Sequence, residues 1–287
     1  MPAIGIDIGG SGVRAGVVDD AGAVHDVARL TLADRRVDTV VAAVEAAIGG
    51  RTCDRVGVGV PGLVRRGRVV ESANFPEWRD VPLAERLAER LGVPVVVDND
   101  ANAAAFGAWV RRGSTGDLVL LTLGTGVGGG YVTGGRLFRG SSGTGAEFGH
   151  IYIGGERPCG CGGHGCLEQW CSTNGLLKAA REAGHEVADG VAVVDAARAG
   201  TPWAVAALAQ AAEGLGKGLV TIVNLLEPEV IAVAGGLSLA KDLLEAPSTA
   251  WMRRHAMQTN AAKVTIEWLG RADDLAIAGA ALSARMG

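Results

Sequence analysis

A chain of 287 residues, 48% of them hydrophobic, is long and apolar enough for one large domain or two ordinary ones. Its net charge of −4 leaves no basic surplus of the kind that nucleic acid, a membrane surface or another polyanion selects. The 45 glycines cluster without a period, which excludes collagen-like and low-complexity readings, and no apolar run nears the ~20 residues of a membrane span.

The opening MPAIGIDIGG lacks a basic flank and a cleavage site, so no signal peptide is expected. Strands are predicted at 3–8 and 13–19 around a Gly-Gly-Ser turn, and a third at 23–32. A helix follows at 37–48, with Val and Ala on one face. Residues 55–60 read as a buried strand ended by Pro61-Gly62. A helix is predicted at 80–91, with Asp80 as N-cap and Pro82 in its first turn. Pro94 to Val97 is a buried strand, and Asn102 to Val110 a helix. The polar break 111–117 is the expected domain boundary, giving domains 1–112 and 113–272. Beyond it, 118–123 and 127–133 are strands joined by a glycine turn, and a glycine-rich stretch runs to 165. Helices are predicted at 166–183, 191–199 and 203–224. Strands at 230–234 and 264–268 and a helix at 273–285 complete an α/β pattern.

Three glycine turns carry candidate chemistry. In Asp7-Ile8-Gly9-Gly10-Ser11 the glycines let the backbone approach a phosphate and Ser11 adds a donor. Asp7 can hold Mg²⁺ through water, or be the surface carboxylate of a hairpin turn. The second turn, Leu123 to Gly130, contains a GxGxxG string, but a strand follows where a dinucleotide fingerprint needs a helix. Strand–turn–strand with Thr125 and Gly126 fits a second phosphate clamp. The third, Gly235-Gly236 after a strand, either lets a flat ring lie on the backbone or is a plain βα turn.

Asp98-Asn99-Asp100 ends a buried strand, where α/β proteins keep their chemistry. A carboxylate there can take a proton from a hydroxyl. One of the three is expected to cap the next helix, and Asp98 is read as structural. Cys159, Cys161 and Cys166 with His150 form a Cys₃His set suited to tetrahedral Zn²⁺, with His164 as rival fourth ligand. Four protein ligands close the coordination sphere, so the expected zinc is structural. Cys171 reads as core and Cys53 as incidental; with no export signal the expected compartment is the cytoplasm.

Together these motifs resemble the ROK family of sugar kinases and sugar-responsive repressors, from residue 4 to about residue 282. Asp7 to Ser11 matches the family's D-x-G-G-[ST], with serine in place of the commoner threonine. Residues 123–130 match L-G-T-G-x-G-G-G, Glu147 to His150 match E-x-G-H, and Cys159 to Glu168 match C-G-C-G-x-x-G-C-x-E. The resemblance implies a two-domain actin-like (ribonuclease H-like) fold with an interdomain cleft and a zinc knot, the helix 273–287 returning to the N-terminal domain. It implies Asp100 as general base, and Asn99, Glu147, His150 and Glu168 as sugar ligands, with Gly62 and Asn74 as further contacts. The implied reaction is ATP-dependent phosphorylation of a hexose, glucose to glucose 6-phosphate, with Mg²⁺ and structural Zn²⁺, by a homodimer or homotetramer. N-acetylmannosamine, N-acetylglucosamine, an amino-hexose or fructose are the alternative substrates. A repressor is disfavoured because the phosphate motif begins seven residues from the start, without a basic DNA-reading module. Polyphosphate-using relatives generally lack the cysteine motif, and Asp7 with Asp100 argues against a non-catalytic sugar-binding protein.

Overall fold

The computed structural model describes residues 3–286. Met1, Pro2 and Gly287, at the ends of the expected domains, lie outside the described residues. The chain sorts into two compact units: Met1–Asp117, Gly130–Ala146 and Asp273–Gly287 in the first, Leu118–Gly129 and Glu147–Ala272 in the second.

The first unit opens with an antiparallel meander of β1 (Ala3–Gly9), β2 (Gly12–Val18) and β3 (Val24–Thr31). Helix α1 (Val37–Ile48) and strand β4 (Val56–Val60) follow. Next come β5 (Leu63–Arg65), β6 (Arg68–Glu71), β7 (Arg79–Val81), helix α2 (Leu83–Leu91), β8 (Val95–Asn99) and α3 (Asp100–Arg111). In the second unit, β9 (Leu118–Leu123) turns into β10 (Val127–Thr133), which runs on into the first unit to pair with β11 (Arg136–Leu137). Helices α4 (Thr173–Glu182), α5 (Gly190–Arg198) and α6 (Pro202–Leu226) lead to β12 (Val230–Ala234). Then come α7 (Lys241–His255), α8 (Gln258–Ala261) and β13 (Thr265–Gly270), and α9 (Leu275–Ala284) belongs to the first unit.

The main sheet of the first unit has the order β3-β2-β1-β4-β8, with β1, β4 and β8 parallel. Strands β1 and β4 are buried on both faces, so they read as continuous apolar runs without alternation. One covering helix, α9, lies against them unusually closely. A Cβ at Gly5 or Gly57 would stand 1.9 or 1.8 Å from the Ile277 or Ala280 carbonyl oxygen. On the other covering face, Val40, Val44 and Ala47 of α1 supply helix-spaced apolar contacts to the core. Phe75 and Trp78 stack there at 4.3 Å, and Trp78 Nε1 satisfies itself on the Arg35 carbonyl at 2.8 Å.

The second unit is built on β9, β12 and β13, parallel and in that order, with β10 on the outer side of β9. The long helix α6 packs on α7, with Gly216 leaving room for the Trp251 ring. Among the described residues, no single helix is long and apolar enough to cross a membrane.

Several local expectations are corrected. Asp80 does not cap α2; it pairs with Arg68 at 2.9 Å, and the N-cap position is Pro82. The predicted helix 166–183 is broken: a 3-10 turn, Leu167–Gln169, precedes α4, whose start is fixed by Ser172 accepting from Gly175 N. The small sheet β5-β6-β7 and helices α7 and α8 were not expected. Residues 113–117 and 130–146 group with the first unit, not with 147–272 as expected. Asp117 gathers Tyr131 Oη, Thr133 Oγ1 and Gly134 N within 3.1 Å, and Arg139 pairs with Asp98, which ties that segment there.

Candidate functional site

In the first unit, Asp7, Gly59 and Asp98 form one row across the C-terminal ends of β1, β4 and β8. Ligand chemistry in α/β sheets gathers at such ends. Asp7 is buried, at 7% exposure, so it is not a surface carboxylate. Burial raises its pKa; the Arg14 guanidinium opposes this, and the nearby Asp273 charge adds to it. Arg14 stands directly across the β1–β2 ladder and donates through Nε at 2.9 Å. Gly9, Gly10 and Ser11 make the turn beyond Asp7, and the Asn74 side chain lies on Gly10, where a Cβ would be 2.8 Å from its Nδ2.

At the β8–α3 junction the three polar residues divide their work. Asn99 is the cap: its Oδ1 accepts from Ala101 N at 2.9 Å and Asn102 N at 3.1 Å. Its Nδ2 donates to the Gly62 carbonyl at 3.0 Å, which joins two of the expected sugar contacts. Gly62 has φ 121°, and a Cβ there would strike the Glu71 carbonyl at 2.4 Å. Asp98 is structural, though not as the cap. The Arg139 fork takes its Oδ2 at 2.9 and 2.6 Å, while Asn99 N and Asn102 Nδ2 take its Oδ1. Asp100 opens α3, where the helix N-terminus favours a negative charge. Its Oδ1 accepts from Ala101 N at 2.9 Å.

In the second unit, the turn between β9 and β10 carries Thr125 and Gly126, closed by Gly124 N donating to Gly126 O at 2.9 Å. Glu168 Oε2 accepts from Val127 N at 3.0 Å. Glu147 precedes a 3-10 turn, Phe148–His150, and burial raises its carboxyl pKa, with His150 opposing and Glu168 reinforcing the shift. His150, Cys159, Cys161 and Cys166 bring their ligating atoms within 4.8 Å of one another. His150 Nδ1 is 3.6 Å from Cys159 Sγ, and Cys161 Sγ is 3.7 Å from Cys166 Sγ. His164 is outside this group; its backbone bridges Pro158. Burial, with the Cys159 and Cys161 sulfurs, pushes the Cys166 thiol up to about 12, while the Gly163 amide lowers Cys161. Cys171 is wholly buried and pushed to about 12 by that burial alone. Gly235 ends β12 at φ 97°, where a Cβ would meet the Leu123 carbonyl at 2.5 Å. Gly236 opens a 3-10 turn with free space at its Cα.

Two residues missing from the sequence reading matter here, Arg14 and Arg139. Arg14 has a readable signal: a turn pairing Gly9 with Gly12 sets residue 7 opposite residue 14. Arg139 has none, since 41 positions separate it from Asp98.

Two mixed α/β units with glycine turns at strand ends and a Cys₃His group define the fold class of the ROK sugar kinases. The sequence matches the ROK family over residues 3–286, and the chain belongs to that family. It is 40% identical over 268 residues to a glucokinase of Streptomyces coelicolor, covering 85% of this chain and 84% of the relative. It is 36% identical to a glucokinase of Thermotoga maritima, with the same coverage of 85% and 84%. Among solved structures, a ROK family glucokinase from Streptomyces griseus in complex with glucose and AMPPNP superposes with a TM-score of 0.82. That match is 34% identical and covers 100% of both chains.

Proposed function

We infer that this protein transfers the γ-phosphoryl group of ATP to a hydroxyl of glucose, giving glucose 6-phosphate. The carrying observation is the full-length likeness to an enzyme solved with glucose and an ATP analogue. The geometry fits the reading in each unit. Asp100 takes the proton of the 6-hydroxyl as its oxygen bonds to the γ-phosphorus and the bond to ADP breaks. Asn99, Gly62 and Asn74, with Glu147, His150 and Glu168, bind the ring hydroxyls. Gly9, Gly10 and Ser11 face the phosphates, as does Thr125; Gly126, expected beside it, lies under the Glu168 carboxylate instead. Gly235 and Gly236 lie under the nucleotide base. Asp7 would hold Mg²⁺, whose charge offsets that of the phosphates. Arg14 keeps a charged partner on Asp7 in spite of its burial.

The Cys₃His group fits Zn²⁺. Bond lengths of about 2.3 Å to sulfur and 2.0–2.1 Å to nitrogen require S–S and S–N edges of about 3.8 and 3.6 Å in a tetrahedron. The 3.7 and 3.6 Å separations match both edges. Zinc there would be structural, fixing the loop between Glu147 and Glu168. His150 would bind it through Nδ1, which leaves Nε2 for a sugar hydroxyl. The same reading makes the protein a cytoplasmic homodimer or homotetramer, to be checked by sedimentation.

The deciding experiment measures kcat/KM at saturating ATP for glucose, mannose, fructose, glucosamine, N-acetylglucosamine and N-acetylmannosamine. Glucose is expected to lead. Any other sugar ahead of glucose by tenfold would overturn the choice of substrate, and absence of turnover with all six would overturn the kinase reading.

A further inference from the structure

Gly124 and Gly126 flank Thr125 in one turn, yet their surroundings differ. A Cβ at Gly124 would meet nothing within 4 Å. A Cβ at Gly126 would stand 2.2 Å from Glu168 Oε2 and 3.1 Å from its Cδ. Neither glycine has a positive φ, so the backbone conformation asks for glycine at neither position. The carboxylate lies over Gly126 because Oε2 accepts from Val127 N at 3.0 Å. The same downstream segment holds the turn twice more. Thr173 N donates to Gly124 O at 2.9 Å and Asn174 N to Thr125 O at 3.2 Å.

We propose that Gly126 is a positioning residue for sugar recognition. Its bare Cα leaves the space in which Val127 holds Glu168, with Oε2 committed to the main chain and Oε1, 3.9 Å from Cys159 Sγ, as the oxygen that would take a hexose hydroxyl. This rests on the reading that Glu168 binds the sugar. Gly124, with open space at its Cα, carries no such constraint. A Cβ at 126 collides with the far end of a flexible side chain, not with backbone. The substitution therefore displaces Glu168 and leaves the fold standing.

The test separates the two ligands by measuring glucose binding without nucleotide and AMPPNP binding without glucose. Gly126→Ala should weaken glucose by tenfold or more and change AMPPNP by less than about twofold. Gly124→Ala, whose Cβ has no collision partner, should change glucose affinity by less than about twofold. In a Glu168→Ala background the added Gly126→Ala should change glucose affinity by less than about twofold, because its collision partner is gone. Equal loss of both ligands in Gly126→Ala, or unchanged glucose affinity, overturns the proposal. If Gly126→Ala does not fold, the double variant must fold as Glu168→Ala does; a double variant that also fails overturns it too. Wild-type protein that binds no hexose would instead refute the functional reading, which keeps the two failures apart.

Discussion

Asp100 and Asp98 stand two residues apart and invite opposite experiments. Asp100→Asn keeps the shape of the first turn of α3 and removes the carboxylate proposed to accept the proton. It should fold normally, bind glucose, and lose turnover by roughly 10²–10⁴-fold, read in a steady-state assay. Asp98 is 6% exposed, with both oxygens occupied. Arg139→Met would strip the guanidinium and leave that carboxylate charged and half-satisfied, at a cost of about 1–3 kcal/mol. A lowered Tm with glucose affinity largely kept is the expected result; an unchanged Tm would show that solvent replaces Arg139 freely. The residue types at this strand end are legible from sequence, since Asp and Asn after an apolar run mark a site. Their division of labour is not, because the Arg139 partner arrives from a distant loop and Asn99 outcompetes Asp98 for the cap by reaching two amides.

At the scale of elements, buried strands and long apolar helices follow from pattern, and the misses have physical causes. Helix α7 contains Pro247, which removes one amide donor, and it carries Arg253, Arg254 and His255 in its last turn. Such a segment reads as a break. It is helical because Leu244, Ser248 and Met252 are buried, and the Ser248 hydroxyl donates to the Leu244 carbonyl at 2.6 Å. Strands β5 to β7 are too short for period 2 to register. The seating of α9 on α3 is written in glycines: a Cβ at Gly279 would lie 1.7 Å from the Ala103 carbonyl oxygen, and one at Gly107 2.3 Å from that of Leu275. Gly279→Ala should therefore destabilise by about 1–3 kcal/mol or more, seen as a lowered denaturation midpoint. The same two helices are joined by Arg111, whose fork grips Asp274 at 3.0 and 2.6 Å and lowers its pKa. A carboxylate with a depressed folded pKa adds stability above its unfolded value of ~3.9, and that increment fades as pH falls through the folded pKa. Arg111→Gln should thus be less stable than wild type at pH 7, by about 0.5–1 kcal/mol for so exposed a pair, and the gap should close below about pH 4. A gap that persists at pH 2 would assign the effect to packing.

At the scale of the whole molecule, the Cys₃His group is the feature most plainly written in the sequence, and its reach is what the fold adds. Cysteine spacing shows which side chains can meet; it does not show what their meeting holds in place. In the second unit the group fixes His150 at one end and Cys166 at the other, and Glu168 follows two residues later. From there the chain clamps the β9–β10 turn through Val127, Gly124 and Thr125. With zinc bound there as proposed, its loss should travel along this path to both ligands, sugar first because the proposed sugar ligands Glu147, His150 and Glu168 lie nearest the Cys₃His group. Elemental analysis of the purified protein should find one zinc per chain, and Cys161→Ser should lose it. That variant should bind glucose at least tenfold more weakly, with a smaller loss for AMPPNP, and its activity should not return on adding zinc. Full activity without zinc would show that the loop holds its shape by hydrogen bonds alone. An equal loss of both ligands would show that the knot supports the whole second unit and not its sugar-facing edge.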